Sequence, residues 1–376
     1  MNSAGPLSHR RRWSQGVVQQ VSPAEVTDLG PGYLEPGLLP VDLLAKAYRE
    51  ALSEFGSAAL AYGDDQGALP FRAAAARRAG CTEAQVLVTA GTSHALYLIA
   101  TMFASKEDVV LVERYAYDLG RKILTDRGLR TRAVAMDADG MDPEALHDAI
   151  VAERGRVAFV YLNPTFHNPT GIVVPEARRR ALLEVAARHG VLVVEDDAYA
   201  DLTLDGVVPP SMAELAGYEG VIRLRTFSKT IAPGLRLGFL IADPRTVKRL
   251  VHHGLFASGG SANHVTSLAV ATLLESGDYD RHLAWLRAQL KARRDALVGN
   301  LTGPFEFDVP AGGYFLWLRF AEEARVPAEV TVAAGARFGD GPGSAVRLAY
   351  SLNSPDRLAA AGRALAGSWI PSLERT

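Results

Sequence analysis

Within the run Thr226-Phe227-Ser228-Lys229-Thr230-Ile231-Ala232-Pro233-Gly234-Leu235-Arg236, two hydroxyls stand three and one residues before a lysine, and an arginine stands seven after it. That grouping suits a phosphate-bearing aldehyde: the amine forms a Schiff base, while hydroxyls and a guanidinium hold the phosphate. A lone Ser-Lys pair would carry little meaning. Its weight comes from stretches upstream that supply complementary groups.

Val88-Thr89-Ala90-Gly91-Thr92-Ser93-His94-Ala95-Leu96 reads as a strand, a glycine turn and a helix start. A helix N-terminus offers unpaired N–H groups to a phosphate, and Thr92 and Ser93 add hydroxyls; an ordinary N-cap is the competing reading. Tyr117, in Glu113-Arg114-Tyr115-Ala116-Tyr117, suits the face of a planar heteroaromatic ring or, equally, a half-buried core position. In Tyr161-Leu162-Asn163-Pro164-Thr165-Phe166-His167-Asn168-Pro169-Thr170-Gly171, a tight turn presents the Asn168 amide at a strand end, where a plain Asn-Pro turn is the alternative. Val193-Val194-Glu195-Asp196-Asp197-Ala198-Tyr199 ends a buried strand in carboxylates, which need a cation or donors there; a protonated pyridine nitrogen is one such partner. Arg347, inside the apolar strand Val346-Arg347-Leu348-Ala349-Tyr350-Ser351, asks for an anion: a substrate carboxylate or a structural salt bridge.

Elements that could position these groups alternate along the chain. Candidate strands cover 86–89, 108–113, 131–135, 156–162, 190–195, 221–225 and 236–241; candidate helices cover 41–55, 93–105, 117–127, 143–153, 175–189, 244–254, 261–276 and 279–300. The spacing predicts an α/β fold with a mostly parallel sheet covered by helices on both faces. Shorter strands and a last helix near 355–366 predict a smaller α+β C-terminal domain. The expected division is an arm and entry segment (1–45), a large domain (46–285) and a small domain (286–376).

Composition narrows the partners. With 376 residues, 48% hydrophobic and 22% charged, the chain can bury a sizeable core. Net charge of −2 argues against nucleic acid as a general partner. No apolar run is long enough to span a bilayer, no histidine or acidic grouping has metal-site spacing, and Cys81 is the single cysteine. A reducing cytoplasm fits. Cys81 is expected to be a small buried side chain at a strand start, and the Arg10-Arg11-Arg12-Trp13 run part of a partly ordered arm.

As an ordered set spanning roughly residues 28–366, these stretches resemble fold-type I pyridoxal-phosphate enzymes, specifically the class I/II aminotransferases. The resemblance implies pyridoxal 5'-phosphate bound at Lys229, the Schiff-base lysine and proton shuttle. It implies Asp196 on the ring nitrogen, Tyr199 and Asn168 on the ring hydroxyl, and Tyr117 stacked on the ring. The Gly91 turn with Thr92, Ser93, Thr226, Ser228 and Arg236 would hold the phosphate. Arg347 matches the arginine for the substrate's α-carboxylate, with Asn168, Gly30 and Tyr33 bordering the substrate. Tyr62 matches a tyrosine that reaches the partner subunit's cofactor, so a homodimer is expected. The implied activity moves an amino group from an L-amino acid to a 2-oxo acid.

Four departures qualify the match: Thr226 for serine, Tyr115 for proline, His167 before the asparagine, and a short segment between Phe320 and Gly335 where a small-domain helix is expected to be truncated. A shortened lid edge admits the alternative, a lyase, cyclase, γ-replacement enzyme or oxidase of the same fold acting on an amino acid or S-adenosylmethionine. A ligand-sensing regulator domain is a further reading; the match begins near residue 28, so no preceding DNA-binding domain is expected. Asp28 and Glu35 flank the entry segment and are candidates to meet a basic substrate side chain.

Overall fold

A computed structural model describes residues 25–320, 326–339 and 344–367. The expected arm before residue 25, with the Arg10–Trp13 run, lies outside them. Each expected strand of the large sheet is present, its ends shifted by a residue or two: β1 (Val86–Thr89), β2 (Val109–Glu113), β3 (Arg130–Val134), β4 (Val157–Leu162), β5 (Leu192–Asp196), β6 (Val221–Thr226) and β7 (Gly238–Ile241). Their order in space is β1-β7-β6-β5-β4-β2-β3. Strands β2 to β6 pair in parallel, and β7 lies antiparallel between β1 and β6.

Successive strand residues face opposite sides, and both sides are covered. Val86, Val88, Leu111, Val160 and Val193 join one core. Leu87, Val110, Val112, Phe159, Val194, Ile222 and Leu224 join the other. Burying each such aliphatic side chain contributes about 1.5–3 kcal/mol before entropy. Apolar runs without alternation are therefore what a sheet covered twice requires.

A four-stranded antiparallel sheet, Phe305–Glu306, Phe315–Phe320, Ala345–Ala349 and Ala333–Ala334, forms the smaller unit. The helix Pro355–Gly367 packs on the helix Asp278–Val298, which runs continuously through the expected boundary at 286. The entry segment belongs with this unit: Thr27–Asp28 pairs in parallel with Val330–Thr331, and Ala349 N–H donates to Leu29 C=O. Of the segment expected to lack a helix, residues 326–334 carry only two short strands; 321–325 lie outside the described residues.

Parallel strands bring the C-terminal ends of β2, β4, β5 and β6 to one edge. The antiparallel β7 adds its beginning to that edge, with Gly238 opposite both Thr226 and Thr89. A Cβ on Gly238 would lie 2.6 Å from Arg225 O and 2.8 Å from Gly91 Cα, so the close approach of these turns requires glycine. One expectation fails nearby: Cys81 is half-buried in the turn after the helix Leu69–Ala79, because that helix ends at the left-handed Gly80 before the strand begins.

Candidate active site

A cavity of about 560 Å³ opens at this edge, lined among others by Gly30, Tyr33, Thr92, Tyr117, Asn168, Asp196, Tyr199, Lys229 and Arg347. Lys229, from the turn after β6, donates its Nζ to Gly32 C=O at 2.9 Å. Burial lowers its amine to about 8, the nearby Arg347 charge adds to the drop, and Asp196 opposes it. The ring centroids of Tyr199 and Tyr314 lie 5.5 and 5.8 Å from Nζ.

Asp196 ends β5. Tyr161 Oη donates to its Oδ2 at 2.6 Å, while Oδ1 is buried without a partner among the described residues. Burial pushes the carboxyl up to about 6, against the Tyr161 hydrogen bond. Asn163, just past the end of the neighbouring strand β4, donates its side-chain amide to Asp196 C=O and accepts from Asn168 N–H at 2.7 Å. The loop carrying both asparagines is braced from below by the fully buried Arg179, which donates to Pro164 C=O, Val174 C=O and Thr165 Oγ1.

Arg347 is buried in the small sheet between the rings of Phe315 (4.0 Å) and Phe338 (4.6 Å). It donates to Asn168 Oδ1 and Gly30 C=O, each at 2.6 Å, and it has no carboxylate partner among the described residues. Burial lowers its guanidinium to about 10. The structural salt bridge, one of the two readings of this residue, is therefore not what the geometry contains.

The remaining groups surround the turns at Gly91 and Ser228. Thr92 and Ser93 begin the helix Thr92–Met102. Thr226 Oγ1 and Ser228 Oγ are 2.9 Å apart. Arg236, left-handed at φ 47°, reaches Ala90 C=O with Nη2 at 3.0 Å, and a Cβ on Gly91 would sit 3.0 Å from the same nitrogen. Tyr117 precedes the helix Asp118–Asp126, and burial raises its phenol to about 12. Tyr199 packs edge-on against Tyr314 and Phe315, its phenol likewise raised by burial. Tyr62 is not among the cavity's lining residues: it is 87% exposed beside Gly259.

The family model for class I and II aminotransferases matches residues 25–357. The chain belongs to that family. This aminotransferase is 33% identical to the 2-aminoadipate transaminase of Thermus thermophilus, over 89% of each chain. It is 30% identical to an uncharacterised helix-turn-helix transcriptional regulator, YisV, of Bacillus subtilis, over 90% of this chain and 73% of that one. Among solved structures it is similar to the α-aminoadipate aminotransferase LysN of Thermus thermophilus, complexed with N-(5'-phosphopyridoxyl)-L-leucine, at TM-score 0.80 and 30% identity over 92% of each chain.

Family and fold make the protein a pyridoxal-phosphate-dependent aminotransferase of fold type I. The cavity fits that cofactor on its own terms. The unpartnered Asp196 Oδ1 suits a cationic ring N–H, Lys229 offers its amine in the same space, and Thr92, at the start of the helix Thr92–Met102, lines it beside them.

Sequence reasoning assigned no role to several residues that build the site. Tyr161 and Asn163 fix Asp196; Phe315 and Phe338 sandwich Arg347; Tyr314 Oη donates to Lys229 C=O; and the buried His282 lies 2.8 Å from Thr230 C=O through Nε2. Tyr161 and Asn163 flank Leu162 at the end of an apolar strand, and that position was the available signal. The acids suggested for a basic side chain are engaged elsewhere: Asp28 accepts from Gly30 N–H and Thr331 Oγ1, and Glu35 pairs with Arg293.

Proposed function

We propose that this aminotransferase moves the amino group of an L-amino acid to a 2-oxo acid with Lys229 as the cofactor-bearing amine and proton carrier. The observation that carries the reading is Arg347, a buried guanidinium without a carboxylate partner among the described residues, in the same cavity as Lys229. Its forked donors suit a substrate α-carboxylate. Pyridoxal phosphate, when bound, supplies the electron sink that makes an α-proton removable.

The chain's residues supply the rest. An amine lowered to about 8 is a base with an appreciable neutral fraction near neutral pH, so Lys229 can take the α-proton and later return it. Asp196, raised only to about 6, is mostly ionised at pH 7 and favours a protonated ring nitrogen. Asn168 and Tyr199 are assigned to the ring hydroxyl and Tyr117 to the ring face. Gly91, Thr92, Ser93, Thr226, Ser228 and Arg236 are assigned to the phosphate. Gly30 and Tyr33 border the substrate. The large domain (46–285) is assigned one wall of this site, and the small domain (286–376) with the entry segment of residues 1–45 the other.

The same reading assigns Tyr62 to the cofactor of a second copy in a homodimer. Its 87% exposure, with Leu60 close by in the chain at 76%, suits a face covered by another subunit. A single-turnover experiment tests the activity. With one amino acid and no oxo acid, one equivalent of pyridoxamine phosphate per site supports transamination. Sustained turnover without an acceptor overturns it, and so does a bound cofactor that no amino acid changes, the behaviour of a sensing domain such as the regulator relative's name suggests.

A further inference from the structure

Arg347 is not the only guanidinium facing the cavity. Arg337, in the turn Gly335–Phe338, lines the same space beside Tyr33, Thr331 and Val332. The Phe338 ring centroid lies 4.6 Å from the Arg347 guanidinium carbon and 5.8 Å from that of Arg337, so the two cations are separated by no more than the sum of those distances. Burial raises the Tyr33 phenol, Asp28 adds to the rise, and both arginines oppose it, which places Tyr33 within reach of the pair.

We propose that Arg337 binds a side-chain carboxylate, so that the substrate side-chain class read by this site is acidic; the inference rests on the aminotransferase reading above. Arg337 directs Nε and Nη2 at Asp118 Oδ2, at 3.1 and 2.6 Å, which fixes the plane of its guanidinium. Its Nη1 has no partner among the described residues and is left for a second anion. Its backbone is tied as well: Arg121 Nη2 donates to Arg337 C=O at 2.6 Å, and Arg121 has no acidic partner among the described residues. Arg337 and Asp118 both line this rim, and Arg121 stands behind it, outside the cavity lining. The other acid lining the cavity mouth, Asp28, is held by Gly30 N–H and the Thr331 hydroxyl. A basic side chain would meet Arg337 and find both carboxylates engaged. An acidic one would span Arg347 and Arg337 with its two carboxylates.

The alternative role for the Arg337–Asp118 pair is a clamp between the small sheet's turn and the helix Asp118–Asp126, without contact to substrate. Substrate ratios separate the two. For the holoenzyme, the ratio of kcat/KM with glutamate to that with leucine is expected to fall by about 10–100-fold in Arg337→Ala, the value of a charge-assisted hydrogen bond. Calorimetry without turnover should show the affinity ratio of glutarate to butyrate falling by a similar factor. Arg337→Gln, which keeps most of the side-chain volume, should behave alike if the alanine variant folds poorly. Asp118→Asn leaves the guanidinium in place and should preserve or raise both ratios. Equal losses for both members of each pair in the arginine and aspartate variants would identify a clamp and overturn the proposal, as would wild-type preference for lysine or ornithine over glutamate. Turnover of leucine without any of glutamate defeats this inference alone; no turnover with any amino acid defeats the activity itself.

Discussion

Asp196 and Lys229 lie in one cavity and are displaced in opposite directions, each toward its neutral form, because burial is the largest influence on both. Asp196 rises from an ordinary 3.8 to about 6, so between those values the folded chain holds the proton more often than the unfolded one, and stability falls as pH rises. Lys229 drops from 10.5 to about 8, so between those values the unfolded chain holds the extra proton and stability rises with pH. The contribution of this pair is therefore lowest between about pH 6 and 8 in protein prepared without the cofactor. Asp196→Asn should raise the Tm of that preparation at pH 7, since the amide oxygen can still accept from Tyr161. The same change should lower kcat of the holoenzyme by about 10²-fold or more, the order expected when a charge aimed at a reacting system is lost. A pH series of melting curves on wild type and variant, read beside steady-state rates, checks both signs. Lys229→Ala should reduce the rate by about 10²–10⁴-fold, and borohydride should then leave no label on the peptide around position 229.

At the scale of elements, the turns that face the expected phosphate depend on a strand that runs the wrong way for a parallel sheet. β7 brings Gly238 between Thr226 and Thr89 in register, with no room for a side chain. Gly238→Ala must separate the Gly91 turn from β6 at a cost of about 1–3 kcal/mol, and a titration with pyridoxal phosphate should show weaker binding by about tenfold. The sheet's strands were legible because apolar β-branched runs repeat between amphipathic helices. The place of β7 was not, since pairing of 238–241 with 86–89 leaves no mark in local periodicity. The same distinction divides the site. Lys229, Asp196 and Asn168 stand out because each is a reactive group at the end of a recognisable strand or in the turn that follows one. Tyr161 and Phe338 do not, because their value lies in neighbours on other strands: Tyr161 meets Asp196 across the β4–β5 pairing, and Phe338 meets Arg347 only after the small sheet has formed. The truncated-helix expectation had a different basis, the short length of chain between Phe320 and Gly335, of which 321–325 lie outside the described residues.

On the scale of the whole molecule, Thr92, Tyr117, Asn168, Asp196, Tyr199 and Lys229 line one cavity, whereas Tyr62 projects from the surface. If the homodimer forms as proposed, Tyr62→Phe should weaken pyridoxal phosphate binding by about 10-fold through loss of one hydrogen bond to an anion, while sedimentation still reports two chains. Mixing Tyr62→Phe with Lys229→Ala subunits gives a sharper check, because each mixed dimer should then contain one wholly inactive centre and one intact pair of contacts. Whatever the assembly, the order of synthesis imposes its own schedule. The carbonyls that receive Lys229 and Arg347 belong to Gly32 and Gly30, and their segment is held by Val330–Thr331 and by Ala349. A ribosome delivers that segment well before its partners. The nascent polypeptide must therefore keep this stretch undocked until residues 330–349 emerge, and the large sheet can mature long before the amine at its edge is enclosed.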